Sequence, residues 1–156
     1  NDALYGGLDD DALIGWFGSD TMAGNEGHDN LNGHALSDQI FGGDGDDFLN
    51  GGYGHDRLNG GAGADQFFHL GVEGHGSDWI QDYNAAEGDV LIFGNTAATA
   101  DQFQVNFAET ANSGIAGVQE AFVIYRPTGQ ILWALVDGAA LDEINILIND
   151  EIHNLL

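Results

Sequence analysis

The sequence predicts an all-β chain, a right-handed parallel β-roll (a β-helix-like solenoid) closed by a C-terminal β-rich cap. Three observations predict it. Aspartates recur every nine residues, at Asp2, Asp11, Asp20, Asp29, Asp38, Asp47, Asp56 and Asp65. Two positions after each stands one apolar residue: Leu4, Leu13, Met22, Leu31, Ile40, Leu49, Leu58 and Phe67. Beyond residue 68 glycine thins out, and aromatic and β-branched residues alternate.

The repeat occupies residues 1–68, with lines such as GGDGDDFLN (42–50), GGYGHDRLN (51–59) and GGAGADQFF (60–68). Glycines in the first, second and fourth slots permit positive φ and close backbone approach, so the first six residues of a line turn tightly with carbonyls facing inward. The remaining three allow only a short strand, whose middle side chain, the apolar slot, points into the interior. Two turns and two strands make one coil, and successive coils stack about 4.8 Å apart, the spacing of hydrogen-bonded strands.

Aspartates two repeats apart then share an edge. One column holds Asp2, Asp20, Asp38 and Asp56, and the other Asp11, Asp29, Asp47 and Asp65. Two unit charges about 5 Å apart repel by roughly 3 kcal/mol at an effective dielectric near 20. Each column therefore opposes folding unless a cation lies between its members. Ca²⁺, which takes about six to eight oxygens, suits carboxylates combined with turn carbonyls, whereas Mg²⁺ demands a tight octahedron and keeps its waters. The candidate ligands are these aspartates together with turn residues Gly6, Gly24, Gly27, Gly42, Gly43, Gly45, Gly51, Gly52, Gly54, Gly60, Gly61 and Gly63. One apolar side chain per repeat is a thin core, so metal binding and folding are expected to be one event.

The turns differ in quality. GGDGDD, GGYGHD and GGAGAD match every slot. GGLDDD (6–11) puts Asp9 in the fourth slot, a residue that tolerates the left-handed region. GWFGSD (15–20) and GNEGHD (24–29) lose the second glycine, and GHALSD (33–38) carries His34 and Leu36 where glycines belong. A leucine at positive φ is strained, so the column through Asp38 is expected to be weaker in its middle than the other.

Bulk properties narrow the function. A formal charge of −24, with 26 acids against Arg57 and Arg126 and no lysine, excludes nucleic acid and anionic membranes as partners, since both need Lys/Arg to neutralise them. There is no cysteine, hence no disulfide or thiolate metal site. No apolar run reaches the ~18 residues of a membrane span. Asn1–Tyr5 have the pattern of the tail of a repeat, so the chain is expected to be a fragment of a longer protein.

These lines resemble the Gly-Gly-x-Gly-x-Asp-x-apolar-x nonapeptide of the RTX (repeats-in-toxin, hemolysin-type) calcium-binding family. GHGSDWIQDYNAAEGDVLIF (74–93) begins like a displaced final repeat through Gly74, Gly76, Asp78 and Ile80, so Asp78 extends the Asp56 column. The stretch resembles the segment following the last RTX repeat, with Asp82–Tyr83 at the family's Asp-Phe and Asp89 a few residues on. Asp82 is either a further ligand or a turn cap. TADQFQVNF (99–107) and FVIYRPTGQILWALVDG (122–138) resemble the RTX tail, a strand followed by a hairpin around Pro127 and Gly129. Residues 69–156 thus form the expected capping region. Within it, 139–156 suit a helix through Leu141, Ile144, Ile148, Ile152 and Leu155, or a strand through Ile144, Ile146 and Ile148. The family's pattern also implies a type I secretion signal there.

No HExxH motif, EF-hand loop, Gly-x-Ser-x-Gly elbow or phosphate loop is present. The paired carboxylates are equivalent members of a column, which is not the arrangement of a glycosidase pair. Trp16 and Phe17 sit in a turn, either packed on a neighbouring turn or exposed to a sugar or upstream domain. No catalysis is expected from this fragment. The resemblance implies a secreted or cell-surface calcium module that folds on Ca²⁺ binding after export through type I machinery and nucleates or stabilises its upstream domain. The alternative is a polysaccharide- or surface-binding module of an RTX enzyme or adhesin.

Overall fold

The computed structural model describes residues 1–111 and 113–156. Apart from two short 3₁₀ turns, its regular structure is all β. Strands of the repeat alternate between two facing parallel sheets. One receives β1 (Ala3–Gly7), β3 (Thr21–Glu26), β5 (Gln39–Asp44), β7 (Arg57–Ala62) and β9 (Asp78–Ile80). The other receives β2 (Ala12–Ile14), β4 (Asn30–Asn32), β6 (Phe48–Asn50), β8 (Gln66–His69) and β10 (Val90–Phe93). This is the expected parallel β-roll.

Register follows the apolar slot without slippage. Leu4 pairs with Met22, Met22 with Ile40, Ile40 with Leu58 and Leu58 with Ile80. On the facing sheet Leu13, Leu31, Leu49, Phe67, Leu91 and Ile146 pair in the same way. From Met22 to Ile80 these side chains are fully buried, whereas Leu4 and Leu13 at the first coil are only partly covered. A one-residue slip would turn every one of them outward, which is why the period locks the pairing.

Both sheets continue through residue 68 without a break. Beside β9 lie β13 (Gln130–Leu135), parallel to it, then β12 (Glu120–Tyr125) and β11 (Phe103–Ala108) as an antiparallel meander. Beside β10 lie β14 (Asn145–Ile148) and β15 (Glu151–Asn154). The strand and hairpin expected from the RTX-tail resemblance and the Pro127–Gly129 turn thus occur at Phe103–Ala108 and Glu120–Leu135. Phe93, Phe103 and Tyr125 cluster with ring centroids 4.8–5.4 Å apart and close that end of the core.

The ambiguous C-terminal stretch is a strand pair. Ile144, Ile146 and Ile148 point inward, while Ile152 is 65% exposed, the opposite of a helical stripe. Asn149 and Asp150 have φ of 51° and 63°, and positive φ at both central residues is what a two-residue type I′ hairpin requires. Among the described residues no helix is long and apolar enough to cross a membrane.

Leu49 lies mid-roll with no exposed surface. Leu49→Ala should therefore lower the stability of the calcium-loaded chain by about 2–5 kcal/mol, whereas Ile152→Ala should change it by less than ~0.5. Chemical denaturation in excess calcium distinguishes the two.

Candidate metal centre

Each interior column aspartate, from Asp20 to Asp65, is bound into its neighbours three ways. Its backbone N–H donates to Oδ1 of the next aspartate in the column, as Asp20 to Asp38 (2.7 Å), Asp29 to Asp47 (2.8 Å) and Asp38 to Asp56 (2.8 Å). Its carbonyl accepts the N–H of the residue following that aspartate, as in Gln39 to Asp20 (2.8 Å). Its own Oδ1 accepts from the preceding coil. The second oxygen is left over. Oδ2 of Asp11, Asp20, Asp29, Asp38, Asp47, Asp56, Asp65 and Asp78 is buried and has no hydrogen-bond partner.

Eight orphaned carboxylate oxygens in two rows need a partner, because an unpaired buried charge costs several kcal/mol. The surroundings fit a hard cation. A methyl group added at Gly6 would stand 2.6 Å from Asp11 Oδ2 and 2.8 Å from the Gly24 carbonyl oxygen. At Gly15 it would stand 2.8 Å from Asp20 Oδ2 and 2.9 Å from the Gly33 oxygen. Gly24, Gly33 and Gly42 repeat this arrangement with Asp29, Asp38 and Asp47. The first-slot glycine therefore keeps open a cradle between an orphan carboxylate and a carbonyl of the next coil. Carbonyls of Gly43 and Gly45 face Gly61 and Gly63 in turn, and that of Gly54 faces Gly76. Among the described residues no three His, Asp or Glu side chains converge on one point. A cation site here needs backbone oxygen as well as carboxylate, which favours calcium over zinc.

Every turn takes positive φ in its second and fourth slots, whichever residue stands there. Gly43 and Gly45 have φ of 129° and 132°, Asp9 has 70°, Trp16 68° and Asn25 83°. The defective turn obeys the same rule, with His34 at 75° and Leu36 at 80°. It keeps the path of its neighbours, and Asp38 is as buried as they are. The irregular sequence is absorbed as strain in one turn.

Most proposed ligand positions fall into these rows, and the others separate clearly. Asp78 extends the Asp56 row, since its Oδ1 accepts the Asp56 N–H at 3.4 Å. Asp2 lies exposed at the open end. Asp82 accepts the N–H groups of Gly60 (3.0 Å) and Gly61 (2.8 Å), one on each oxygen, and so caps that turn. Asp89 completes the second row unforeseen: its Oδ1 accepts the Asp65 N–H (3.0 Å) and its Oδ2 the Asn84 N–H (2.7 Å). It stands 24 positions after Asp65 where the coil has eighteen, so the nine-residue count passes over it.

A second ladder runs beside the Asp11 row. Asp10 Oδ1 accepts the His28 N–H (2.9 Å), His28 Nδ1 the Asp46 N–H (2.8 Å), and Asp46 Oδ1 the Ala64 N–H (2.9 Å). The fifth slot faces solvent, yet it also joins coils. Two other histidines belong to the core: His69 accepts the Gly71 N–H on Nδ1 (2.9 Å) and donates from Nε2 to the Gly76 carbonyl (3.2 Å). Burial, then the neighbouring His75, lowers its pKa to about 4, so the ring is neutral. Trp16 stacks on His34 of the next coil at 5.0 Å, while Phe17 is 83% exposed.

A family model described as the RTX calcium-binding nonapeptide repeat, in four copies, matches residues 1–31 and 32–67. The repeat segment belongs to the RTX calcium-binding family. Among solved structures, the RTX-bearing chain is similar to the solution structure of the AlgE6R3 subunit from the Azotobacter vinelandii mannuronan C5-epimerase. The two are 25% identical, with 91% of this chain and 80% of that one covered and a TM-score of 0.37. No curated protein matches the chain.

Burial raises the carboxyl pKa of Asp38, Asp47 and Asp89 to about 6 and of Asp65 to about 7. Asp56 and Asp78 shift upward for the same reason. These folded values exceed the ordinary ~3.9 of an unfolded aspartate, so protonation favours the metal-free roll. Their contribution to its stability is fully present below about pH 4 and is lost as pH rises through 6–7. In chelator, the β signal in circular dichroism should therefore grow as pH falls from ~7.5 to ~4.5, while calcium affinity measured by titration falls over the same range.

Leu36→Gly should relieve about 1–2 kcal/mol of backbone strain and lose roughly 0.4–1 to the freer unfolded chain. The net gain, of order 0.5–1 kcal/mol, should appear as a lower calcium midpoint for folding. Ala62→Gly, in a turn that already has its glycines, should give no such gain.

Proposed function

We propose that this chain is a calcium-driven folding module of a longer secreted protein. The observation that carries it is the two rows of buried, unpartnered Oδ2 atoms, those of Asp11, Asp20, Asp29, Asp38 and Asp47 each facing a backbone carbonyl across a glycine cradle. Asp11, Asp20, Asp29, Asp38, Asp47, Asp56, Asp65 and Asp78 supply the carboxylate ligands, and the turn carbonyls complete each shell. Calcium, when bound, supplies the positive charge these rows lack.

What the chain itself contributes is a switch in foldability. Without cations, adjacent carboxylates in a thin-cored solenoid repel, and the roll is unstable at neutral pH. Extracellular calcium modules commonly have dissociation constants of about 10⁻⁴–10⁻³ M. Affinity in that range keeps the segment unfolded and exportable in a calcium-poor cytosol and folds it outside. The uninterrupted sheets then transmit order from the roll into the 69–156 cap and onto any upstream domain.

Polymer contact is a second reading, favoured by one observation. Phe17, Ala35 and Tyr53 are bridged in parallel across three coils, with Phe17 and Tyr53 exposed beside exposed Trp16. Loss of glycan retention in Phe17→Ala supports that reading, and no retention by the parent chain removes it.

The calcium titration tests the main reading. Chelated chain at pH ~7.5 should show little β signal and gain it cooperatively at about 0.1–1 mM Ca²⁺, with Mg²⁺ inactive at the same concentrations. Asp47→Asn, mid-row, should raise the midpoint several-fold. A chelated chain that is already folded and indifferent to calcium sinks the proposal.

A further inference from the structure

A cleft of about 750 Å³ lies on the outer face of the first sheet, beside the loop joining β11 to β12. Arg57, Trp79 and Gln81 line its floor, and Ser113, Ile115 and Asp137 its wall. The wall is pinned. Glu120, fully buried, accepts from the Thr110 N–H (2.7 Å) and the Ser113 hydroxyl (2.8 Å), and Asp137 Oδ1 accepts the Ile115 N–H (2.6 Å). A volume of this size is typical of small-molecule sites, which combine an apolar surface with a few oriented polar groups.

Arg57 is the informative residue. The chain carries 26 acids and two cationic side chains, yet Arg57 forms no ion pair among the described residues. Its partner is neutral: with the Gln81 amide oriented to suit its neighbours, Oε1 accepts from Arg57 Nε (3.1 Å) and Nη2 (3.0 Å). That holds one edge of the guanidinium and leaves its outer end free for a carboxylate fork. Trp79 pairs with Arg57 across neighbouring strands and is held edge-on to Phe122 at 6.2 Å. It offers a half-buried aromatic surface next to the cation. Asp137, on the opposite wall, repels a second acid and accepts from a hydroxyl.

We infer that this cleft binds a single small hydroxylated ring acid. Its carboxylate meets Arg57, its ring lies on Trp79, and a hydroxyl faces Asp137. One arginine in a field of acids neutralises one carboxylate, so an extended polyanion is excluded by its remaining charges. The shared chemistry, a carboxylate on a hydroxylated six-membered ring with an apolar face, belongs to sugar acids and to phenolic acids.

The test uses the full calcium-loaded chain and follows the Trp79 indole and Ile115 amide by nuclear magnetic resonance, with Trp16 and Trp133 as internal references. Glucuronate and 4-hydroxybenzoate are the two acid probes, and glucose and acetate the controls. Saturable shifts confined to Trp79 and Ile115 are expected with at least one acid, and the tighter acid identifies the source. Arg57→Gln should weaken that binding about tenfold or more, with its calcium-induced dichroism unchanged. Absence of saturable shifts with both acids, equal binding by Arg57→Gln, or equal binding of acetate overturns the inference.

Discussion

The structure depends on one divided residue. In each column aspartate, Oδ1 is a hydrogen-bond acceptor that spaces one coil from the next, and Oδ2 is a charge with nothing to meet it. The first role needs the aspartates stacked at strand spacing. The second makes that stacking unfavourable, since burial and neighbouring acids push Asp38, Asp47 and Asp65 far above ordinary carboxyl pKa values. A residue that supplied only the hydrogen bond, such as asparagine, would give a roll indifferent to cations. A charge without the hydrogen bond would give a column without register. The calcium-driven folding proposed above rests on having both on one side chain.

The stacking extends beyond the repeats because the roll has no boundary at its C-terminal end. Leu58 pairs with Ile80 and Ile80 with Leu135, while Phe67 pairs with Leu91 and Leu91 with Ile146. The core row of the roll becomes the core row of the cap. The carboxylate rows cross the same junction through Asp78 and Asp89. One further parallel strand follows on each sheet, β13 and β14, before the pairing turns antiparallel and aromatic packing replaces the repeating single apolar slot. The cap therefore covers a parallel edge that would otherwise template further strands.

How much of this was legible depends on whether a feature is set by period or by tertiary neighbours. The coils, inward residues and aspartate rows are periodic, and the spacing alone placed them. The hairpin at Pro127–Gly129 was legible from turn chemistry. Asp89 escaped because an insertion moves it out of step, and only a three-dimensional row restores its place. Asp82 was undecided in sequence because a carboxylate near glycine turns can coordinate or cap; in the fold it accepts the N–H groups of Gly60 and Gly61, one on each oxygen. Residues 144–148 satisfied both helical and strand periods, and the open edge of β10 selected the strand. The floor and wall of the Arg57 cleft lie far apart in sequence, so no local pattern announces it.

The two edges of the roll also divide labour. On the Asp11 edge the fifth-slot ladder from Asp10 through His28 to Asp46 joins coils independently of any cation. On the Asp20 edge the fifth-slot links are looser, at 3.5 Å from His55 to Ser37, and Trp16, His34 and Leu36 stand at positive φ. The side chains at positive φ on the Asp11 edge are Asp9 and Asn25, residue types that tolerate that region. In a solenoid each coil is stabilised by its immediate neighbours, so a strained turn would interrupt ordering along its own edge. It does not isolate the coils here, because every coil also belongs to the other row. The regular edge carries register past the Leu36 turn, and the irregular edge is free to present aromatic side chains outward. Strain is tolerated on one side because the order that matters is held on the other.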